Sequence, residues 1–144
     1  MNYAVNYSKT NNGYQATFPD FPGLEATATT AEGIQNEAYD ALVTKLMSYM
    51  ENGLIVPEPQ AKPDPAYIAL IACVPPKILL HNLAVSQNRS RSWIAGQMGV
   101  SRQMMTRLFN LRESTKVETI QSALDTLNYE MQVTIVPKPL NHTF

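Results

Sequence analysis

The sequence predicts an α+β protein in two parts, an N-terminal domain with the element order β-β-β-α-β and a C-terminal domain built around a helix-turn-helix. Three observations support this prediction. Apolar residues alternate in short segments between residues 3 and 28, one long apolar stripe at helical spacing follows, and two short, capped helices lie between residues 90 and 110. The 144 residues, 44% of them hydrophobic, can bury the core of one domain or of two small ones.

The first three elements have the pattern of antiparallel strands. Residues 3–7 alternate apolar and polar side chains, Asn12-Gly13 is a hairpin turn signal, and the alternation resumes over residues 14–18. The segment PDFPG, residues 19–23, interrupts strand pairing with two prolines and a glycine. Because the strand pattern returns over residues 24–28, we expect three antiparallel strands joined by short turns.

A long helix and a fourth strand complete the predicted N-terminal domain, residues 1–74. Thr29 and Glu32 form a capping box, and an apolar side chain at every fourth position then builds one stripe: Ile34, Ala38, Leu42, Leu46 and Met50. Residues 56–65 hold four prolines, which favour an extended surface connection. Residues 67–74 form an apolar run that predicts a strand inside the sheet.

Residues 90–110 have the pattern of a helix-turn-helix. Ser90 and Ser101 can each cap a helix, and Gly99 supplies a turn residue for the left-handed region between them. The second helix turns outward arginine and glutamine side chains, which match guanine and adenine edges in the major groove. The alternative is a plain helical hairpin with a solvated polar face. We expect the DNA contacts to be Arg102, Gln103, Thr106 and Arg107, with Ser101 and Asn110 near the phosphate backbone.

Charge is distributed unevenly along the chain, although the formal net charge is only −1. Residues 1–60 hold two basic and seven acidic side chains, a net charge of −5, whereas residues 61–144 hold nine basic and five acidic ones, a net charge of +4. Within the second part, residues 89–116 hold six basic side chains and one acidic one. The two parts therefore favour partners of opposite charge, and the basic part suits DNA.

The predicted C-terminal domain, residues 75–137, ends in a strand with no partner of its own, and residues 138–144 form a tail. Met131, Val133 and Ile135 alternate with polar residues, which predicts a strand with an open edge. We expect this strand to pair with its own copy across a two-fold axis, giving a homodimer or homotetramer that presents two DNA-reading helices about one turn of DNA apart. Alternatively, the strand joins the N-terminal sheet.

The sequence offers no candidate for catalysis, for a metal site or for a cofactor. Asp20 and Glu25 flank the PDFPG loop, but no histidine or cysteine accompanies them, so Asp20 is expected to bond to the loop backbone. The chain has no nucleophile triad, phosphate-binding glycine loop or zinc-ligand spacing. We therefore expect neither an enzyme nor a small-molecule substrate, and a cytoplasmic protein without a membrane segment.

With these segments in view, the sequence resembles the HicB family of antitoxins from toxin-antitoxin pairs. The N-terminal likeness rests on the strand hairpin, on FPDFPGLEATATTAEGIQNEAYDAL at residues 18–42, and on GLIVPEP at residues 53–59. The C-terminal likeness rests on RLFNL at residues 107–111 and on STKVETIQSAL at residues 114–124. Together these segments cover almost the whole chain.

The resemblance implies an N-terminal domain similar to a degenerate ribonuclease H fold, which covers a small, basic, mRNA-cleaving toxin, HicA. It also implies a C-terminal domain that represses the promoter of its own operon. An acidic part suits a basic ribonuclease and a basic part suits DNA, so the charge distribution agrees with both roles. The metal-binding acids that ribonuclease H chemistry needs have no evident counterparts here, so hydrolysis is not expected. The toxin-binding anchors are expected at Tyr14, Phe18, Asp20 and Phe21.

Two other functions remain open from the sequence. A stand-alone transcriptional repressor would use the same helix-turn-helix, while its N-terminal domain only oligomerises or senses another ligand. An active nuclease would show metal-dependent cleavage that is lost on mutation of Asp20. A neighbouring gene for a small basic toxin would favour the antitoxin.

Overall fold

The computed structural model describes residues 1–62 and 66–138, and within them the chain divides into two compact units. The first unit is built mainly from Met1–Lys45 and Pro57–Leu70, and the second from Leu46–Val56 and Ile71–Ile135. The end of the predicted proline-rich connection, residues 63–65, lies outside the described residues. All of the predicted tail except Lys138 also lies outside them.

The first unit contains a four-stranded antiparallel sheet. Its strands are β1 (Tyr3–Thr10), β2 (Gly13–Thr17), β3 (Glu25–Ala28) and β4 (Ala66–Ile68). They lie in the order β3-β2-β1-β4, and each neighbouring pair is antiparallel. The helix α1 (Ala31–Glu51) follows β3, so the predicted order β-β-β-α-β and the α+β class are confirmed.

The first hairpin differs from its prediction in one detail. The two turn residues are Asn11 and Asn12, and Gly13 is already the first residue of β2, paired with Thr10. A Cβ atom at Gly13 would lie 2.2 Å from the backbone oxygen of Ala28. Glycine is therefore required here by the close approach of β3, in addition to its positive φ of 154°.

Helix α1 begins one residue later than the capping box predicted. The hydroxyl oxygen of Thr30, rather than that of Thr29, accepts a hydrogen bond from the Gly33 amide at 2.9 Å. Gly53 ends the helix with a φ of 66°. The five stripe residues from Ile34 to Met50 are all buried, at 3% exposure or less, which confirms the helical period.

Strand β4 is shorter than the predicted strand over residues 67–74. It covers three residues, and its pairing with β1 ends at Tyr3 and Ile68. The apolar run continues past the sheet, where Ile71 is 59% exposed and its carbonyl accepts the Val74 amide in a turn. The next helix then begins at Val74, because Pro75 and Pro76 occupy its first turn, where no helical amide partner is lost.

The second unit consists of four shorter helices after the end of α1. They are α2 (Val74–Ser86), α3 (Arg91–Met98), α4 (Arg102–Leu108) and α5 (Val117–Thr126). Their shared core has at most 1% exposure at Ile78, Leu80, Ile94, Leu108 and Ile120. None of the helices in the described ranges is long and apolar enough to span a membrane.

The boundary between the units departs from the predicted division at residue 74, because residues 54–56 bond to α2. His81 Nε2 lies 2.7 Å from the Leu54 carbonyl oxygen. The Asn82 side chain accepts the Val56 amide at 2.8 Å and donates to the Val56 carbonyl at 3.0 Å. These bonds satisfy the backbone of a segment that the sequence assigned to the N-terminal domain.

The predicted terminal strand pairs with no other strand in the described part of the single chain. The sheet contains only β1 to β4 there, so the alternative that residues 131–135 join it is wrong. The Met131 amide bonds to Gln121 Oε1 on α5 at 2.7 Å, and Met131 is half-buried. Val133 and Ile135 are 76% and 93% exposed. Pairing with a second copy stays a prediction.

Candidate nucleic-acid interface

The predicted cap residues define the start of α3 and of α4 and the end of α3. Ser90 caps α3 by accepting the Trp93 amide at 3.0 Å, and Ser101 caps α4 by accepting the Met104 amide at 3.1 Å. Gly99 ends α3 in the left-handed region, with φ 68° and ψ 34°. The Val100 amide then returns to the Ala95 carbonyl, so the turn between the two helices is tight and hydrogen-bonded.

Apolar side chains hold the two helices against the rest of the second unit. Ile94 from α3 is fully buried, and Met105 and Leu108 from α4 are 3% and 1% exposed. Met98 and Val100 are half-buried at the turn. Because these side chains point inward at helical spacing, the intervening residues of α4 are directed to solvent.

Exposed polar residues of α4 and its cap form a positively charged surface, which we call the α4 face; the apolar Met104 of α4 is also 39% exposed. Its five members are all exposed: Ser101, Arg102, Gln103, Thr106 and Arg107. Asn110, beside them, is half-buried. Every predicted DNA-contacting residue therefore lies on or next to one surface, and Arg102, Gln103 and Arg107 are not buried against the protein. A groove of about 340 Å³ runs beside this face between α3 and α4, and Arg91 and Arg102 are among its lining residues.

Two of these side chains already bond to the backbone nearby. The Thr106 hydroxyl donates to the Arg102 carbonyl at 3.1 Å, which leaves its oxygen able to accept a further bond. The Asn110 side-chain oxygen accepts the Arg112 amide at 2.9 Å. Asn110 therefore shapes the turn after α4 and has only its amide nitrogen left to offer as a donor to a phosphate.

Two arginines near the start of α3 stack on aromatic rings. The guanidinium carbon of Arg89 lies 4.1 Å from the centroid of the Trp93 ring, and that of Arg91 lies 4.5 Å from the centroid of the Phe109 ring. These cation–π contacts hold exposed positive charges close to the protein surface. The close spacing of Arg89 and Trp93 was a sequence signal for the first contact, whereas nothing local in the sequence indicates that Arg91 reaches Phe109.

A buried lysine behind α4 was missed by the sequence analysis. Lys77 on α2 has no exposed surface, and its Nζ donates to three backbone carbonyl oxygens. The distances are 2.7 Å to Glu113, 2.9 Å to Asn110 and 3.2 Å to Arg107. Burial lowers the pKa of Lys77 from its ordinary value. Its position inside the apolar segment VPPKILL was the signal for a buried charge.

The predicted toxin-binding residues of the first unit are not a single exposed cluster. Phe18 and Phe21 are 3% and 4% exposed, so neither ring projects from the surface of the single chain. The Phe21 ring packs on Tyr3 at 5.6 Å between centroids. Both phenylalanines are therefore core residues, held there because the prolines around them turn the loop back onto the sheet. Tyr14 is half-buried.

Asp20 bonds to the backbone, as predicted, but to residues 60 and 61 rather than to its own loop. Its Oδ1 accepts the backbone amides of Gln60 and Ala61 at 3.0 and 2.9 Å, while its Oδ2 is buried with no hydrogen-bond partner among the described residues. Within residues 1–62 and 66–138, no group of three or more histidine, cysteine or acidic side chains is placed to hold a metal ion.

Known proteins match the chain over nearly its full length. Residues 2–79 match the family model described as the HicB-like antitoxin of bacterial toxin-antitoxin systems. The chain is 30% identical over 136 residues to Antitoxin HicB 2 of Photorhabdus laumondii subsp. laumondii, a match that covers 94% of this chain and 97% of the relative. It is 29% identical over 138 residues to Antitoxin HicB of Escherichia coli (strain K12), covering 94% and 100%. The chain therefore belongs to the HicB-like family of bacterial antitoxins, whose members are not enzymes.

Proposed function

We propose that this antitoxin neutralises a small, basic, mRNA-cleaving toxin of the HicA type through its first unit. We further propose that it represses its own operon through α3 and α4, which act as a helix-turn-helix in a cytoplasmic homodimer or homotetramer. In this proposal the first unit is a degenerate ribonuclease H-like domain that binds without catalysis. The observation that carries the proposal is the α4 face, where arginine, glutamine and threonine side chains are exposed together.

The side chains of the α4 face suit sequence-specific contact with DNA. Arg102 and Arg107 can each donate two hydrogen bonds to guanine, and Gln103 can pair with adenine in the same way. Thr106 retains an acceptor and a methyl group, and Ser101 and Asn110 lie at the two ends of α4, where phosphates would pass. The excess of basic residues over 89–116 adds sequence-independent attraction.

The test of DNA reading is Arg102→Ala. If Arg102 pairs with guanine, this variant should lose about 1–3 kcal/mol of operator affinity and relax specificity at one base position. Fluorescence anisotropy with operator fragments substituted at each position measures both effects. The matched control is Lys9→Ala, which also removes an exposed positive charge, from β1. Unchanged operator discrimination by Arg102→Ala would remove Arg102 from the readers.

Charge supports the proposed toxin interaction. Five carboxylates of the first unit are exposed against three exposed lysines among its described residues, and the five are Glu25, Glu32, Glu37, Asp40 and Glu58. A surface of this sign attracts a cationic ribonuclease and speeds its association. Half-buried Tyr14, on β2, remains a proposed contact, because its ring can contribute apolar area at a polar surface.

Co-expression with the product of the neighbouring gene tests this interaction. The toxin should co-purify with the antitoxin, and charge reversal at Glu37 and Asp40 should slow its association at low salt. The ribonuclease activity of the toxin, measured on mRNA with increasing antitoxin, should fall to zero at a fixed ratio. Operator binding without any toxin binding would instead identify a stand-alone repressor.

A further inference from the structure

The ammonium group of Lys77 lies at the end of the helix that we propose reads DNA. Helix α4 ends with Phe109 as its C-cap, so the Arg107 carbonyl belongs to its last turn. The Asn110 carbonyl accepts the Glu113 amide and thereby closes the turn that follows. Nζ of Lys77 contacts the carbonyls of Arg107, Asn110 and Glu113, which span the helix end and both sides of this turn.

This contact matches the donor and acceptor chemistry on both sides. An ammonium has three N–H donors, and Lys77 directs them to three carbonyl oxygens without any exposed surface. Carbonyls at a helix C-terminus carry partial negative charge and lack helical partners, so a cation placed there stabilises the helix end. A helix of seven residues has too few internal hydrogen bonds to be stable alone and depends on such contacts.

We propose that Lys77 is a positioning residue for DNA recognition, an internal cap from α2 that fixes the end of α4 and the turn at residues 110–113. The inference rests on the proposed repressor function. Lys77 does not touch DNA, because it has no exposed surface. It acts through Arg107, whose backbone it holds and whose side chain lies on the α4 face.

The same helix α2 provides a matched control. Asn82, five positions after Lys77, also anchors a backbone segment with its side chain, but its two bonds go to Val56 and not to α4. Both Lys77→Met and Asn82→Ala should lower the thermal stability of the second unit, because each removes side-chain hydrogen bonds to backbone groups. Only the lysine variant should disturb α4.

The decisive experiment is a double-mutant cycle in operator binding, measured where circular dichroism shows every variant folded. Lys77→Met should weaken operator binding at least 10-fold and Asn82→Ala less than twofold. Lys77→Met combined with Arg107→Ala should bind no more than about threefold more weakly than Arg107→Ala alone, because the arginine is already absent. If the loss of operator affinity in the double variant equals the product of the two single losses, the positioning role is overturned. Lys77→Gln, which keeps two N–H donors, replaces the methionine variant if the latter does not fold.

A measurement on the wild-type protein tests the cap itself. Three carbonyl bonds and the exclusion of water should slow proton exchange at the Lys77 ammonium, so that its NMR signal persists where exposed Lys9 and Lys116 give none. In Lys77→Met, which has no side-chain N–H donor, the Asn110 and Glu113 amides should exchange at least 10-fold faster than in the wild type. The absence of either effect overturns the proposal. A wild-type protein that shows no operator discrimination overturns the repressor function instead, which Arg102→Ala and Lys9→Ala probe independently.

Discussion

At the scale of single residues, the buried histidine gives the clearest pH dependence. His81 is 4% exposed, and its Nε2 lies 2.7 Å from the Leu54 carbonyl, to which a neutral ring can donate. Burial lowers the pKa of His81 below its ordinary 6.5, the bond to Leu54 opposes this shift, and the charge of Arg91 adds to it.

Acid should therefore destabilise the folded protein through His81. In the unfolded chain His81 takes up a proton near pH 6.5, whereas in the folded chain it does so only at a lower pH. The contribution of neutral His81 to the free energy of unfolding is therefore fully present above pH 6.5 and is lost as the pH falls toward the folded pKa. Urea unfolding at pH 7.5 and 5.5 should show a lower midpoint at pH 5.5. His81→Gln should reduce that difference; an equal difference in both proteins would assign the acid sensitivity to other groups.

The sequence predicted the orientation of the exposed side chains on α4 better than that of the buried side chains in the first unit. Arg102, Gln103 and Arg107 follow a serine cap at fixed helical positions, so local spacing determines that they face outward. Phe18 and Phe21 lie in an irregular loop, where no period indicates the direction of a side chain, and they turned out to be buried. Lys77 could not be assigned its role from sequence, because its carbonyl partners are 30 to 36 positions away.

At the scale of elements, α4 depends on its ends because it has only seven residues. Ser101 accepts the Met104 amide, one of the donors that the first turn of a helix leaves unpaired. Ser101→Ala should therefore lower the free energy of unfolding by about 1 kcal/mol. Chemical denaturation of the wild type and the variant measures this difference.

The control for this cap is Ser92→Ala, which changes an exposed serine inside α3. Alanine is the better helix former at such a position, so stability should stay within about 0.5 kcal/mol of the wild type. Equal losses in the two variants would mean that the Ser101 cap contributes nothing specific.

Element boundaries were predictable where a cap or a period determines them, and not where packing does. The serine caps and Gly99 delimited α3 and α4, and the four-residue stripe of α1 is buried as predicted. The length of β4 was overestimated because an apolar run does not show where pairing with β1 stops. The close approach of β3 to Gly13 was also hidden, since β3 lies 12 or more positions further along the chain.

At the scale of the whole molecule, the segment after α5 exposes apolar side chains in the single chain. The segment is attached through the Met131 amide to Gln121, and beyond that bond Val133 and Ile135 are mostly exposed in the single chain. Branched apolar side chains in a row favour strand pairing, and an isolated row of this kind is rare on a monomer surface. We therefore expect a second copy to pair with it.

Lysine substitutions on the two faces of this segment test whether it pairs with a second copy. Val133→Lys with Ile135→Lys should convert the wild-type dimer or tetramer to a monomer, because the predicted pairing places these side chains on the apolar face. Under the proposed repressor function, operator affinity should then fall at least 10-fold, because each complex would lose one of the helices proposed to read DNA. The control is Gln132→Lys with Thr134→Lys, which adds the same charge to the opposite face.

Sedimentation at micromolar concentration measures the assembly. Dimers that persist in the first variant, or a monomeric wild type, would contradict pairing through this segment.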